Sequence, residues 1–262
     1  MHFHTETKRN LEQLLNISSF IMEVRTQEPA RKRQKTILDF VRHKVTAEEK
    51  AEERNKLAWT EICRDDLNIR YRVVLGPEEC DQVFLQLEQE VEYLTGELAQ
   101  VKVYGKVHPI PRQHAAYGDP GVEYKYSGTR VEARAWTPAL ARLREVVERE
   151  AAASYNFVLV NRYRDGGDKM GDHKDDEKEL SREVPIASLS LGAARDFVFK
   201  HEDRRTNGLA PVKLVLEPGC LLLMLPPTNR RWVHGLPARK GCAEPRINLT
   251  FRQIVVNKMP IT

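Results

Sequence analysis

His173 and Asp175 stand two residues apart in the run GDHKDDEKEL, residues 171–180. In an extended segment residues i and i+2 project from one face, so this imidazole and this carboxylate can approach the same metal ion. A third ligand is required, and His234, in RRWVHGLP, closes an apolar strand-like run just before a turn. Two histidines and one carboxylate on one face of an octahedron leave three positions open. That arrangement suits a non-haem Fe(II) centre, which must also take a co-substrate and O2. An HxD pair recurs by chance, however, and eight histidines offer many partners. On these residues alone a surface loop beside an unrelated histidine is the simpler reading.

The last strand-like run, RINLTFRQIVV (246–256), adds a second chemistry. Alternation puts Arg246, Asn248, Thr250 and Arg252 on one face and Ile247, Leu249 and Phe251 on the other. Inward-facing arginines need anions, and a guanidinium recognises a carboxylate in bidentate fashion. A small dicarboxylate chelating iron at one end would be met by such an arginine at the other. A half-buried strand with its arginines in solvent stays open at this point.

Short strand-like runs divided by turns must position these groups. They are YRVVL from Tyr71, then NFVLVNRY (156–163), IASLSLG (186–192), RDFVFKH (195–201), PVKLVLEPG (211–219), CLLLML (220–225) and the final RINLTFRQIVV. Such spacing predicts a β-sandwich or barrel. Two helices are expected to cover one sheet. The first opens at Gly76-Pro77, with Val83, Leu87, Val91, Leu94 and Leu98 at helical spacing; the second opens at Thr137-Pro138, with Leu140, Leu143 and Val147 on one face. CLLLML is far too short to span a membrane and stops at Pro226-Pro227, and MHFHTETKRN lacks the apolar core of a secretory signal. Cys63, Cys80, Cys220 and Cys242 are scattered without a CxxC pair, which argues against a zinc ribbon or a disulfide framework. The expectation is an intracellular protein without a membrane segment.

HKD at 173–175, the His234 site and RINLTFR at 246–252 together resemble the AlkB family of 2-oxoglutarate- and Fe(II)-dependent dioxygenases. NFVLVNRYRDG, PIASLSLGAARDFVFKH and PTNRRWVHGLP strengthen the likeness, above all to the members that repair alkylated bases in duplex DNA. The resemblance covers residues 65–257. It implies an α+β, mainly β fold: a double-stranded β-helix, or jelly-roll, with flanking helices and a nucleotide-recognition lid at 98–136. It also implies Fe(II) held by His173, Asp175 and His234, and 2-oxoglutarate held by Arg246 and Arg252 with Asn161, Tyr163 and Asn248. O2 is the oxidant, the alkyl group leaves as an aldehyde, and succinate and CO2 are released.

Chemistry on a base-pairing nitrogen requires extrusion of the nucleotide. VKVYGKVHPIPRQ (101–113) resembles the family's inserting hairpin, with Tyr104 at the tip where phenylalanine is expected. YGDPGVEYKYSG (117–128) resembles its base lid, through Tyr124, Tyr126 and Ser127; here too Tyr126 replaces the more usual phenylalanine. Asp176 and Glu177 resemble the family's acidic pair beside the extruded base, where negative charge favours a cationic methylated base over a neutral one. Arg112 is expected at the substrate. Arg195, Lys200, Arg204, Arg205, Arg239 and Lys240 are candidates for phosphate contacts, although any one of them alone reads as ordinary surface charge.

The net charge of +4 is a weak pointer to a polyanion, but residues 31–44 carry six Lys or Arg against Asp39 alone, a local net of +5. Residues 1–64 are expected to be a largely disordered basic tail ahead of a dioxygenase domain at 65–262. Within the tail QKTILDFV (34–41) resembles a sliding-clamp-binding peptide through Gln34, Ile37 and Phe40, and RKRQK before it suits nuclear import or nonspecific DNA contact. The expected function is therefore a monomeric nuclear enzyme that removes alkyl groups from 1-methyladenine, 3-methylcytosine and etheno adducts in double-stranded DNA. The alternatives are a sister activity on single-stranded DNA or RNA, a catalytically inactive nucleic-acid-binding module and a protein hydroxylase.

Overall fold

The computed structural model describes residues 58–103, 105–126 and 129–255. The expected clamp peptide, its basic flank, Tyr104 and Ser127 lie outside these residues, as does the side chain of Tyr126.

Fifteen strands form among the described residues: β1 Thr60–Arg64, β2 Leu67–Val73, β3 Gln100–Val103, β4 Lys106–Pro109, β5 Gln113–Gly118, β6 Glu123–Tyr126, β7 Thr129–Glu132, β8 Phe157–Tyr163, β9 Met170–His173, β10 Ile186–Gly192, β11 Arg195–His201, β12 Val212–Leu216, β13 Cys220–Met224, β14 Trp232–Leu236 and β15 Arg246–Arg252. A seven-stranded sheet runs β1-β2-β13-β10-β15-β8-β5 and a four-stranded sheet runs β12-β11-β14-β9, with β3-β4 and β6-β7 as separate hairpins. The helices are α1 Pro77–Glu90, α2 Pro138–Ala151, and the one-turn α3 Arg204–Asn207 and α4 Thr228–Arg231. This is the expected two-sheet, mainly β architecture.

Strand alternation sorts the side chains into two cores. Val158, Val160, Ala187, Leu189, Leu191, Leu221, Leu223, Ile247, Leu249 and Phe251 point out of the large sheet and pack under Leu87 of α1 and Leu140, Leu143 and Val147 of α2. The opposite face gives Phe157, Leu159, Leu222 and Met224, which meet Phe197, Phe199, Leu214 and Trp232 of the small sheet. Where β15, β8 and β10 lie side by side that inner face turns polar, and a cleft opens there.

Thr137 caps α2 as expected, its hydroxyl accepting from the Leu140 amide at 3.3 Å. The first helix is shorter than its spacing suggests. It stops at Glu90, and Leu94 instead gives its amide to His114 O of β5 at 2.8 Å, so Leu94 and Leu98 leave the helical face. Backbone pairing with the sheet edge outweighs a further helical turn.

The expected tail also needs correction, because β1 pairs with β2 along its whole length. Asp65 and Asp66 form the two-residue turn between them with φ of 49° and 63°, the left-handed pair that such hairpins demand and that aspartate tolerates. Arg70 and Arg72 then lie against the Trp59 ring, 5.0 and 4.9 Å from its centroid. No helix among the described residues is long and apolar enough to cross a membrane.

Candidate active site

The small sheet builds the first half of the cleft. β9 and β14 are antiparallel with His173 opposite His234, and their rings lie 4.4 Å apart. A register shift follows at Gly235, where a Cβ would come within 2.9 Å of Asp172 Oδ1 and 3.1 Å of Met170 O. A side chain here would press on the Asp172 carboxylate and on the β9 backbone, and glycine avoids both. Asp175, just past β9, reaches to 3.9 Å from His173 Nε2 and 3.7 Å from His234 Nε2. One ligand atom from each of the three lies within 4.8 Å of the others, so together they could hold a metal ion.

Their electrostatics suit that task. Burial, followed by the neighbouring His173, lowers the His234 pKa to about 3, which keeps the imidazole neutral and its nitrogens available as ligands. Burial alone would raise Asp175, but Arg252, His234 and His173 outweigh it and hold the carboxyl below its ordinary range. Phe197 stacks against the His234 ring at 5.4 Å and fixes its plane. On the outer side Lys174 Nζ bonds Glu202 at 2.6 Å and Lys200 Nζ bonds Asp172 at 2.7 Å, bracing the ligand segment. Lys200, expected at phosphate, is thus engaged within the protein.

The large sheet supplies the second half. β15 pairs with β8 so that Arg246 faces Tyr163 and Asn248 faces Asn161. Arg246 is 1% exposed, gives one bond to Ser190 Oγ at 2.9 Å and leaves Nε and Nη1 without a partner. Burial lowers its pKa to about 10, with Arg195 adding to the effect, so it remains a cation at neutral pH. Arg252 gives Nη2 to Asp175 Oδ1 at 2.6 Å and lies 5.1 Å over the Tyr124 ring, with Nε and Nη1 also unpartnered. Buried donors left unmatched in a cavity mark the place of an absent acceptor. Asn248 departs from expectation, because its Nδ2 is used by Ser188 Oγ and Leu189 O and its Oδ1 by Thr250. It stiffens the floor and has no donor left for a carboxylate.

The two halves line one cleft of about 560 Å³ that includes Arg112, Tyr124, Asn161, Tyr163, His173, Asp175, Asp176, Glu177, His234, Arg246 and Arg252. At its mouth Tyr124 stacks on Phe157 at 4.8 Å and donates its hydroxyl to Glu177 Oε1 at 2.5 Å, while Glu177 Oε2 is buried without a partner. Beside it β3 and β4 form the expected hairpin, turning through Gly105 at φ 80°, which glycine adopts without steric cost. Ser188 and Ser190 hold Asn248 and Arg246 but were not among the expected residues. Only the β10–β15 register, which faces Ser190 with Asn248, identifies them.

Arg195 is not a phosphate contact. It is 1% exposed and donates to the carbonyls of Asp165, Asp168 and Pro237 at 2.8–3.1 Å. It ties together the loops after β8 and β14. Arg195→Met strands three carbonyls and is expected to cost about 3 kcal/mol, a fall in melting temperature on the order of 5–10 °C in a thermal scan. An unchanged melting curve would contradict this role.

A family model described as the 2OG-Fe(II) oxygenase superfamily matches residues 68–252, which hold every cleft residue named above, and the chain belongs to that superfamily. It is a dioxygenase that uses Fe(II), 2-oxoglutarate and O2. More particularly, it is 48% identical over 205 residues to the human protein described as DNA oxidative demethylase ALKBH2, across 77% of this chain and 78% of that one. It is also 35% identical over 196 residues to human alpha-ketoglutarate-dependent dioxygenase alkB homolog 3, across 70% of this chain and 66% of that one. The solved structure of OsALKBH1 shares the fold, with a TM-score of 0.53 at 16% identity over 75% of this chain and 100% of that chain.

Proposed function

We propose that this chain is a DNA repair enzyme that oxidatively removes alkyl groups from 1-methyladenine, 3-methylcytosine and etheno adducts in double-stranded DNA. The observation that carries the reading is Arg246, a buried cation with unmatched donors in the same cleft as His173, Asp175 and His234. In this reading those three side chains hold Fe(II), and 2-oxoglutarate lies between them and Arg246. The iron, when bound, supplies the oxidising chemistry by which O2 and 2-oxoglutarate become succinate and CO2 while the alkyl carbon is hydroxylated and lost as an aldehyde.

The chain's own residues bind and orient. Arg246 and Arg252 are six positions apart on β15, about 20 Å along a strand, much longer than a five-carbon diacid. They therefore act at opposite ends. Arg246 takes the far carboxylate beside Tyr163, with Asn161 as a further donor. Arg252 braces Asp175 at the metal end and keeps Nε and Nη1 for the carboxylate there.

Tyr126 and Ser127 would stack on and hold the extruded base, and stacking contributes on the order of 1–3 kcal/mol, while Tyr124, buried against Phe157 and Arg252, serves the base through its hydroxyl, which orients Glu177. Asp176 and the unpartnered Glu177 Oε2 favour a cationic methylated base. The β3–β4 hairpin suits a wedge that fills the gap in a duplex, and Tyr104 would supply the inserting ring. Gln34, Ile37 and Phe40 would bind a sliding clamp, the basic run before them suits nuclear import, and the enzyme would act as a monomer.

The test supplies the purified protein with Fe(II), 2-oxoglutarate and matched single- and double-stranded DNA carrying 1-methyladenine or 3-methylcytosine. Formaldehyde release from the duplex is expected. No release from any DNA would sink the repair function, and release from single strands alone would sink the duplex assignment.

A further inference from the structure

We propose that Arg112 is a positioning residue for the co-substrate: its Nε–H fixes the Asn161 amide so that Oδ1 faces the guanidinium and Nδ2 faces the cleft. The proposal rests on the assignment of Asn161 to 2-oxoglutarate. It gives Arg112 a task different from the substrate contact its sequence suggests.

Arg112 and Asn161 are both buried, and Arg112 Nε donates to Asn161 Oδ1 at 2.7 Å. A guanidinium only donates and does not lose its proton in a protein. A flipped amide would set NH2 against N–H, two donors face to face in a buried site, so a single orientation survives. The hydrogen bond of the Asn161 amide runs through Oδ1, on a side chain that lines the cleft, so Nδ2 is the end of the amide turned to a co-substrate. A hydroxyl or a second amide in place of Arg112 could accept as well as donate and would leave both orientations open.

The strands around this pair give the device its purpose. Asn161 lies between His114 on β5 and Asn248 on β15. The Asn248 amide is committed to Ser188 and Leu189, which leaves Asn161 as the amide donor on this row of the floor. Arg112 stands immediately before β5, three residues after the end of the β3–β4 hairpin, and Pro111 O between them accepts from Lys169 N at 3.0 Å. The hairpin therefore connects by a short anchored link to the residue that orients the co-substrate's donor.

The test measures 2-oxoglutarate affinity by calorimetry on the full chain loaded with Mn(II), which binds without turnover, alongside the 2-oxoglutarate KM and kcat of the Fe(II) enzyme. Arg112→Gln is expected to raise the 2-oxoglutarate Kd about tenfold and the KM in parallel, with kcat at saturating 2-oxoglutarate nearly kept. Arg112→Lys, which retains a charged donor, should recover part of that affinity and serves if the glutamine variant is poorly folded. In a double-mutant cycle Arg112→Gln should add nothing once Asn161→Ala is present. If Asn161→Ala weakens 2-oxoglutarate binding while Arg112→Gln leaves it within twofold, or if the two effects add, the positioning role is overturned. If Asn161→Ala itself leaves binding unchanged, the fault lies in the assignment of Asn161 to the co-substrate.

Discussion

Replacing Arg246 by leucine is expected to raise the KM for 2-oxoglutarate on the order of 100-fold, the loss of a buried charge-to-carboxylate contact of about 3 kcal/mol. The same change should leave the ligand-free protein as stable as before, or more so. Arg246 is buried against the neutral hydroxyls of Ser190 and Tyr163, with two donors unmatched and no carboxylate partner among the described residues, so the fold carries the desolvation of a cation without its counter-anion. Leucine removes that burden, since the Tyr163 ring already offers an apolar surface 5.3 Å from the guanidinium. Thermal scans with and without 2-oxoglutarate on Mn(II)-loaded protein separate the two effects. The wild type should be stabilised by the co-substrate, and Arg246→Leu should start at an equal or higher temperature and gain nothing. A KM within threefold of wild type would remove Arg246 from the site.

The legible part of this molecule is what alternation writes. RINLTFR separates into an arginine face and an apolar face, and both faces are found buried, one on the cleft and one under the helices. The same period places Asn161 and Tyr163 on the cleft, and Thr137-Pro138 marks the start of a helix whose cap is present. Register is not written in a single strand. Whether Arg195 faces solvent or the junction of two loops depends on which strands flank β11, and its apolar neighbours give no hint of three waiting carbonyls. Asn248 has the right face and the wrong partners, because Ser188 lies one strand away. The strand at Thr60–Arg64 leaves little apolar pattern in the sequence because its burial is slight, although Asp65-Asp66 between two alternating runs is a usable turn signal.

His173→Ala and Asp175→Ala are expected to abolish the same chemistry and to differ sharply in stability. Each removes one of three groups that can meet a metal ion, so turnover of 2-oxoglutarate to succinate should fall on the order of 1000-fold or more in both. The His173 side chain is 33% exposed, and the hydrogen bond found for it runs to its near neighbour Gly171 at 3.0 Å. Its loss should cost no more than about 1 kcal/mol. Asp175 is 3% exposed and is the carboxylate that neutralises Arg252 at 2.6 Å. Removing it leaves a buried guanidinium unpaired, which costs about 3–5 kcal/mol and lowers the melting temperature by on the order of 10 °C. Arg252→Leu together with Asp175→Ala should recover much of that stability and none of the turnover, because the penalty belongs to the stranded charge and the chemistry to the ligand. Succinate release and thermal scans on the three variants check this, and equal destabilisation by the two ligand substitutions would mean that Arg252 does not depend on Asp175 for its charge balance.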